Sequence, residues 1–189
     1  MRIPATTRQK VPLTEPSVDY LVPDLLAPGL HLVFCGTAPS TASARARAYY
    51  AKPGNRFWPT LHAAGITPQR FAPGDYPQLL DLGIGLTDLC KIHSGTDAQL
   101  PDDAFDTEAF RQKMLHYRPA MIAFTSKHAA QTFLQHPVDY GLQAGTIGVS
   151  RLFVLTSPSG LATRFFDIEI WRQLAAELQH LQRASPHRR

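Results

Sequence analysis

Four apolar runs punctuate this chain, at residues 31–35, 84–89, 120–124 and 151–155. They are near-continuous rather than alternating, the pattern of strands covered on both faces of a parallel sheet. Between them the apolar positions take up a helical period. Residues 54–64 predict a helix with Pro59 in its first turn, where the missing N–H does no harm. Residues 76–81 predict a short helix. Residues 107–116 predict another, with Phe110, Met114 and Tyr117 at helical spacing. Residues 127–134 predict a helix with Ser126 as N-cap. Residues 167–182 place Ile168, Trp171, Leu174, Leu178 and Leu181 on one inner stripe. Residues 40–52, polar and rich in small side chains, form an ordered loop or a short helix.

Strands that alternate with helices predict an α/β architecture: one domain built on a four-stranded parallel sheet flanked by helices. Five prolines over residues 1–28 make the start of the chain irregular; residues 1–24 are a lead-in, residues 25–182 form the domain, and residues 183–189 are a basic tail. In such a sheet, loops at the carboxyl ends of strands face one crevice where ligands bind. Two of them carry proline among small polar residues. Gly36-Thr37-Ala38-Pro39-Ser40 follows the first strand, and Thr156-Ser157-Pro158-Ser159-Gly160-Leu161 follows the fourth. They supply hydroxyls and backbone N–H groups, which suit an anionic or polar ligand.

Composition narrows the classes. The chain has 189 residues, 44% of them apolar and 18% charged, with a net charge of +4. No run approaches the roughly 18 apolar residues of a membrane span, and the first residues lack the apolar core of a secretory signal. The two cysteines, Cys35 and Cys90, fall in apolar segments and read as buried reduced thiols. A cytoplasmic location is expected. The basic balance fits a solvated tail or a polyanion partner. No metal signature, P-loop, dinucleotide-binding glycine motif or Gly-x-Ser-x-Gly elbow occurs. No metal or cofactor is expected.

The remaining polar residues form a distributed set. Phe34-Cys35-Gly36-Thr37-Ala38-Pro39-Ser40, then Tyr50-Ala51-Lys52-Pro53-Gly54-Asn55-Arg56-Phe57-Trp58, then Ser157-Pro158-Ser159-Gly160-Leu161 resembles the uracil-DNA glycosylase superfamily. The branch most similar is that of the mismatch-specific uracil/thymine glycosylases, and the resemblance runs over residues 25–181. It implies a monofunctional DNA glycosylase that flips a deaminated base, uracil above all, out of double-stranded and also single-stranded DNA and leaves an abasic site. A monomer without membrane partner is expected. No lysine stands where a Schiff-base nucleophile belongs, so strand cleavage is not expected. The stretch Tyr49-Tyr50-Ala51 is similar to the hypoxanthine-processing branch, which gives a second enzymatic reading.

The resemblance also assigns roles. Tyr50 is the aromatic that stacks on the flipped base, with Thr37 and Ser40 contacting base and backbone. Ser157 and Ser159 bond phosphates, Leu161 is the wedge left in the gap, and Arg164 reaches a phosphate or the opposite strand. Ser126 and Lys127 open a helix, whose N-terminus attracts anions. Asn55 bonds its own loop or shapes the pocket. Two positions depart from the family. The branch holds its water on an asparagine where this chain has Ala38, and it has another asparagine where this chain has Ser157. A catalytically inactive damage-binding module is therefore a third reading. Asp88, at the end of the second strand, is the substitute carboxylate. On its own it reads as a cap for the following loop; with the resemblance it reads as the group that activates water and stabilises an oxocarbenium-like sugar.

Overall fold

The computed structural model describes residues 20–101 and 103–184. The four apolar runs become four parallel strands: β1 (Leu32–Gly36), β2 (Ile84–Asp88), β3 (Met121–Phe124) and, fifth in chain order, β5 (Ser150–Val154). A further strand, β4 (Gly141–Ile147), makes the sheet five-stranded in the order β2-β1-β3-β5-β4. This corrects the expected four. β4 pairs antiparallel with β5 alone, with a register shift between Leu142 and Thr146. It contains Gly141 and Gly145, and most of its side chains are exposed. An edge strand with one wet face needs no apolar run, so its hydrophobic pattern is silent.

Successive residues of β1 feed two cores, as the pleat requires. Leu32 and Phe34 pack with Phe57, Leu61, Trp171 and Leu174, while Val33 and Cys35 pack with Phe110, Met114, Ala130 and Phe133. The first layer is built by α2 (Phe57–Ala63) and α5 (Ile168–Ala184), the second by α3 (Thr107–Tyr117) and α4 (Lys127–Leu134). The result is a three-layer sandwich. α4 has the bounds expected of it, with Ser126 Oγ accepting the Ala129 N–H at 3.0 Å. The segment after the first loop is partly helical, as α1 (Thr41–Ala46). A longer 3₁₀ helix, Pro73–Leu82, stands where residues 76–81 were expected to be helical.

α2 starts three residues later than the pattern indicates. Gly54 lies at φ +81° and Asn55 Oδ1 accepts the Phe57 N–H at 2.9 Å, so residues 54–56 form the turn that caps the helix. Both cysteines are buried free thiols. The last residues of the expected lead-in, 1–24, join the domain. Val22 is buried, Leu25 bridges to Leu86, and Asp24 is tied to two lysines. Residues 1–19 and 185–189, most of the lead-in and of the basic tail, lie outside the described residues. No helix among the described residues is long and apolar enough to cross a membrane.

Parallel register aligns the carboxyl ends. Gly36 is level with Asp88, Cys35 with Phe124, and Phe124 with Val154. The two proline loops and the carboxylate at the end of β2 therefore meet at one edge of the sheet.

Candidate active site

A cleft of about 430 Å³ opens over those strand ends. Thr37, Ser40, Tyr50, Asp88, Ser126, Ser157, Ser159 and Leu161 all line it, so eight of the ten residues singled out from the sequence converge on one cavity. Lys127 and Arg164 do not. Lys127 lies 3.8 Å from Asp139 and 4.5 Å from the centre of the Tyr140 ring. Arg164 is exposed on the short 3₁₀ helix Gly160–Phe165. Among the described residues, Lys52 is the lysine on the cleft wall.

Asp88 is the chemically distinctive group. It is 5% exposed, and among the described residues its Oδ2 is buried without a hydrogen-bond partner. A carboxylate that capped the next loop would be bonded to a backbone N–H; this oxygen is not. Burial raises its pKa to about 6, Lys91 partly offsets that, and Asp24 adds to it. The side chain lies against Gly36: a Cβ built there would stand 2.4 Å from Asp88 Oδ1 and 3.4 Å from the Tyr50 hydroxyl. Glycine at position 36 is what lets the carboxylate and the tyrosine share the floor of the cleft.

Tyr50 occupies a backbone region that costs a non-glycine residue about 1–2 kcal/mol, at φ +54°. Its ring stacks on Phe57 at 3.8 Å between centroids, and its hydroxyl donates to Thr125 Oγ1 at 3.2 Å. Next to it, the Ala51 N–H bonds the buried Ser43 hydroxyl at 3.0 Å. One ring face is thus covered by Phe57, and the residue also lines the cleft. Strain of this kind persists where surrounding contacts over-determine it, often at a ligand site.

Behind the floor lies a charged network. Lys91 Nζ sits 2.8 Å from Asp24 Oδ1 and donates to the Tyr49 hydroxyl at 2.9 Å, and Lys113 Nζ reaches Asp24 Oδ2 at 2.5 Å. Thr87, adjacent to Asp88, also donates to Asp24 at 2.7 Å. Burial works to raise the Asp24 pKa, but the two ammonium groups prevail and hold it below the usual range. Burial pushes the Tyr49 hydroxyl well up, with Asp88 adding to the effect.

The loop hydroxyls are oriented by their own backbone. Ser157 Oγ accepts from the Ser159 N–H and Ser159 Oγ from the Leu161 N–H, each at 3.3 Å. A hydroxyl that accepts in this way keeps its own proton to donate, as a phosphate oxygen requires. Ser126 is in the same state. Ser40 caps α1 and donates to Ser43 Oγ at 3.0 Å, and Thr37 donates to Asp97 Oδ1 at 2.7 Å. These two hydroxyls spend their protons within the protein and keep lone pairs to accept. Asn55 uses Oδ1 on its own loop and also lines the cleft, so both roles left open by the sequence hold for it.

Sequence reasoning missed one wall. The segment after β2 folds over the first loop, with Cys90 N–H on Thr37 O at 2.8 Å and Gly95 N–H on Pro39 O at 3.1 Å. It brings Asp97 to the rim, 3.8 Å from His128 Nε2 on α4. Nothing in the spacing of these residues signals that meeting. Phe165 at the opposite rim was missed as well. Among the described residues, no group of three His, Cys, Asp or Glu side chains could hold a metal ion.

Fold and cleft together define an α/β protein with a polar ligand site over the carboxyl ends of a parallel sheet. Residues 23–178 match the family model of the uracil DNA glycosylase superfamily, and the chain belongs to that superfamily. The structure is similar to the solution NMR structure of a candidate uracil DNA glycosylase from Methanosarcina acetivorans. The two share 23% identity at a TM-score of 0.57, over 84% of this chain and 97% of that one. At that identity the likeness speaks for the fold. Family membership makes the chain a DNA glycosylase, a hydrolase of base excision repair that acts on DNA.

Proposed function

We propose that this glycosylase removes a deaminated base, uracil first, from DNA by a monofunctional hydrolysis in which Asp88 activates water. The mismatch-specific branch is the reading we favour within the superfamily, with U·G pairs as substrate and single-stranded uracil accepted too. The observation that carries the proposal is the orphaned, buried carboxylate of Asp88 inside the cleft.

The chemistry follows from the positions. A base inside a duplex is out of reach, so its nucleotide must turn into the cleft, where the free face of Tyr50 receives it. Breaking the N-glycosidic bond leaves its electron pair on the departing base and builds positive charge on the sugar. An anionic Asp88 stabilises that charge and takes a proton from the water whose oxygen bonds to the anomeric carbon. The products are the released base and an abasic sugar. Ala38 offers no polar atom for the water, and Asp88, level with the start of the same loop, fills that need. Ser126, Ser157 and Ser159 donate to phosphates, and Leu161, 75% exposed at the rim, fills the gap in the stack.

The test is a panel of oligonucleotides with U·G, U·A, single-stranded U, T·G or hypoxanthine, treated with alkali after incubation. Alkali-dependent breaks at uracil are expected, with no breaks before alkali. Cleavage at hypoxanthine alone would transfer the assignment to that lesion. Binding without cleavage of any lesion would make the chain a damage-binding module.

A further inference from the structure

Leu161 and Phe165 are 75% and 72% exposed, the most exposed large apolar side chains among the described residues; Val149 follows at 58%. Both belong to the 3₁₀ helix Gly160–Phe165 and both line the cleft that holds Asp88 and Tyr50. A phenylalanine left in water forgoes most of the free energy of burial. Its neighbour Phe166 does not: that ring is half-buried, packs on the core and lies 5.0 Å beneath the Arg56 guanidinium.

The exposure is built in. Arg56 Nη2 donates to Thr163 Oγ1 at 2.7 Å, and Thr163 in turn donates to Gly160 O at 2.8 Å. The Arg56 N–H holds Pro158 O at 2.8 Å. Gly160 packs so closely on Gly54 that a Cβ there would stand 3.2 Å from its carbonyl oxygen. The short helix is pinned from below, with one aromatic turned in and one held out.

We propose that Phe165 stacks on the nucleobase that flanks the extruded nucleotide on the same strand, as a second prong beside Leu161. An aliphatic leucine can fill a void, but a phenylalanine ring offers a flat face, and the flat apolar surface of DNA is the base. Because Phe165 lines the cleft itself, it borders the strand whose nucleotide enters. Such a stack needs no complementary strand, so it gives the single-stranded substrate of the proposed function a physical basis. The inference rests on the glycosylase reading.

The experiment measures binding and single-turnover excision on uracil oligonucleotides, single-stranded and duplex, for the wild type and for Phe165→Ala, Phe165→Leu and Phe165→Trp. Phe165→Ala and Phe165→Leu are expected to weaken single-strand binding about 10-fold or more, the scale of one lost base stack. Phe165→Trp is expected to retain it. Thermal melting should be unchanged in all three, since the side chain is exposed. A 2-aminopurine next to the uracil on the same strand should brighten in the Phe165→Ala complex, as its stacking partner is gone. Unchanged single-strand binding in Phe165→Ala overturns the inference, and so does wild-type binding in Phe165→Leu. A brightening seen only with the probe on the opposite strand overturns the strand assignment. Wild-type excision with an indifferent Phe165→Ala sinks this inference alone. Absence of excision in the wild type sinks the glycosylase reading, while the binding comparison still decides the stack.

Discussion

Burial raises the Asp88 pKa to about 6 from an ordinary value of 3.8, so the folded chain binds a proton that the unfolded chain has released. The sign follows from linkage. Below pH 4 both states are protonated and Asp88 adds no penalty; between pH 4 and 6 the penalty grows; above 6 it is complete. A shift of about two units is worth roughly 3 kcal/mol. Asp88→Asn should therefore be more stable than the wild type at pH 7, by about 1–3 kcal/mol, and this advantage should vanish by pH 4. Urea melts at the two pH values check it. An Asp88 that served as a loop cap would show the reverse, a loss of stability on substitution. The pKa of this side chain was not legible in the sequence, since it depends on what covers it. Its place was legible, because a residue at the end of a buried strand stands at the mouth of the sheet. Tyr50 divides in the same way: its place in the cleft followed from the motif, its strained backbone and its stack on Phe57 only from the fold.

Among the elements, α4 opens on Ser126, a helix cap that also lines the cleft and that the proposed mechanism sets against a phosphate. Its Oγ accepts the Ala129 N–H, and the residue lines the cleft. Ser126→Ala should cost about 1 kcal/mol, the usual worth of an N-cap, and also weaken DNA binding. Ser126→Asp should keep the cap, hold the melting temperature near that of the wild type, and still lose DNA affinity through phosphate repulsion. Thermal melts paired with binding isotherms separate the two effects; if Ser126→Asp binds DNA like the wild type, Ser126 touches no phosphate. Elements differed in how openly they were written. The parallel strands and α5 announce themselves because they are buried against apolar neighbours. β4 does not, since Gly141, Gly145 and its exposed side chains carry no period. The helix Gly160–Phe165 is set by Arg56, Thr163 and Gly54, contacts that no local window contains.

Across the whole molecule, the first residues described are tied to the floor of the cleft. Asp24 joins Lys91 after β2 to Lys113 on α3, and Lys91 reaches Tyr49. Lys91 also lowers the Asp88 pKa. Lys91→Met should leave Asp24 with one cation and cost about 3 kcal/mol of stability, in line with breaking a buried pair. It should also move the acid limb of the excision rate to higher pH. A variant that is destabilised with an unmoved pH profile would limit the network to a structural part. Nothing in the spacing of residues 24, 49, 91 and 113 predicts their meeting, which only the packing of four segments produces.

The most direct test of the account is kcat/KM for uracil excision from a U·G duplex across pH 5 to 8, for the wild type and for Asp88→Asn. kcat/KM reports the ionisations of the free enzyme. The wild-type rate should rise with pH to a plateau above about 6, where Asp88 is ionised. Asp88→Asn should be folded and about 100-fold slower or worse, the scale of one lost acid–base group. A folded Asp88→Asn that excises uracil at the wild-type rate would contradict the account and place the water-activating group elsewhere in the cleft.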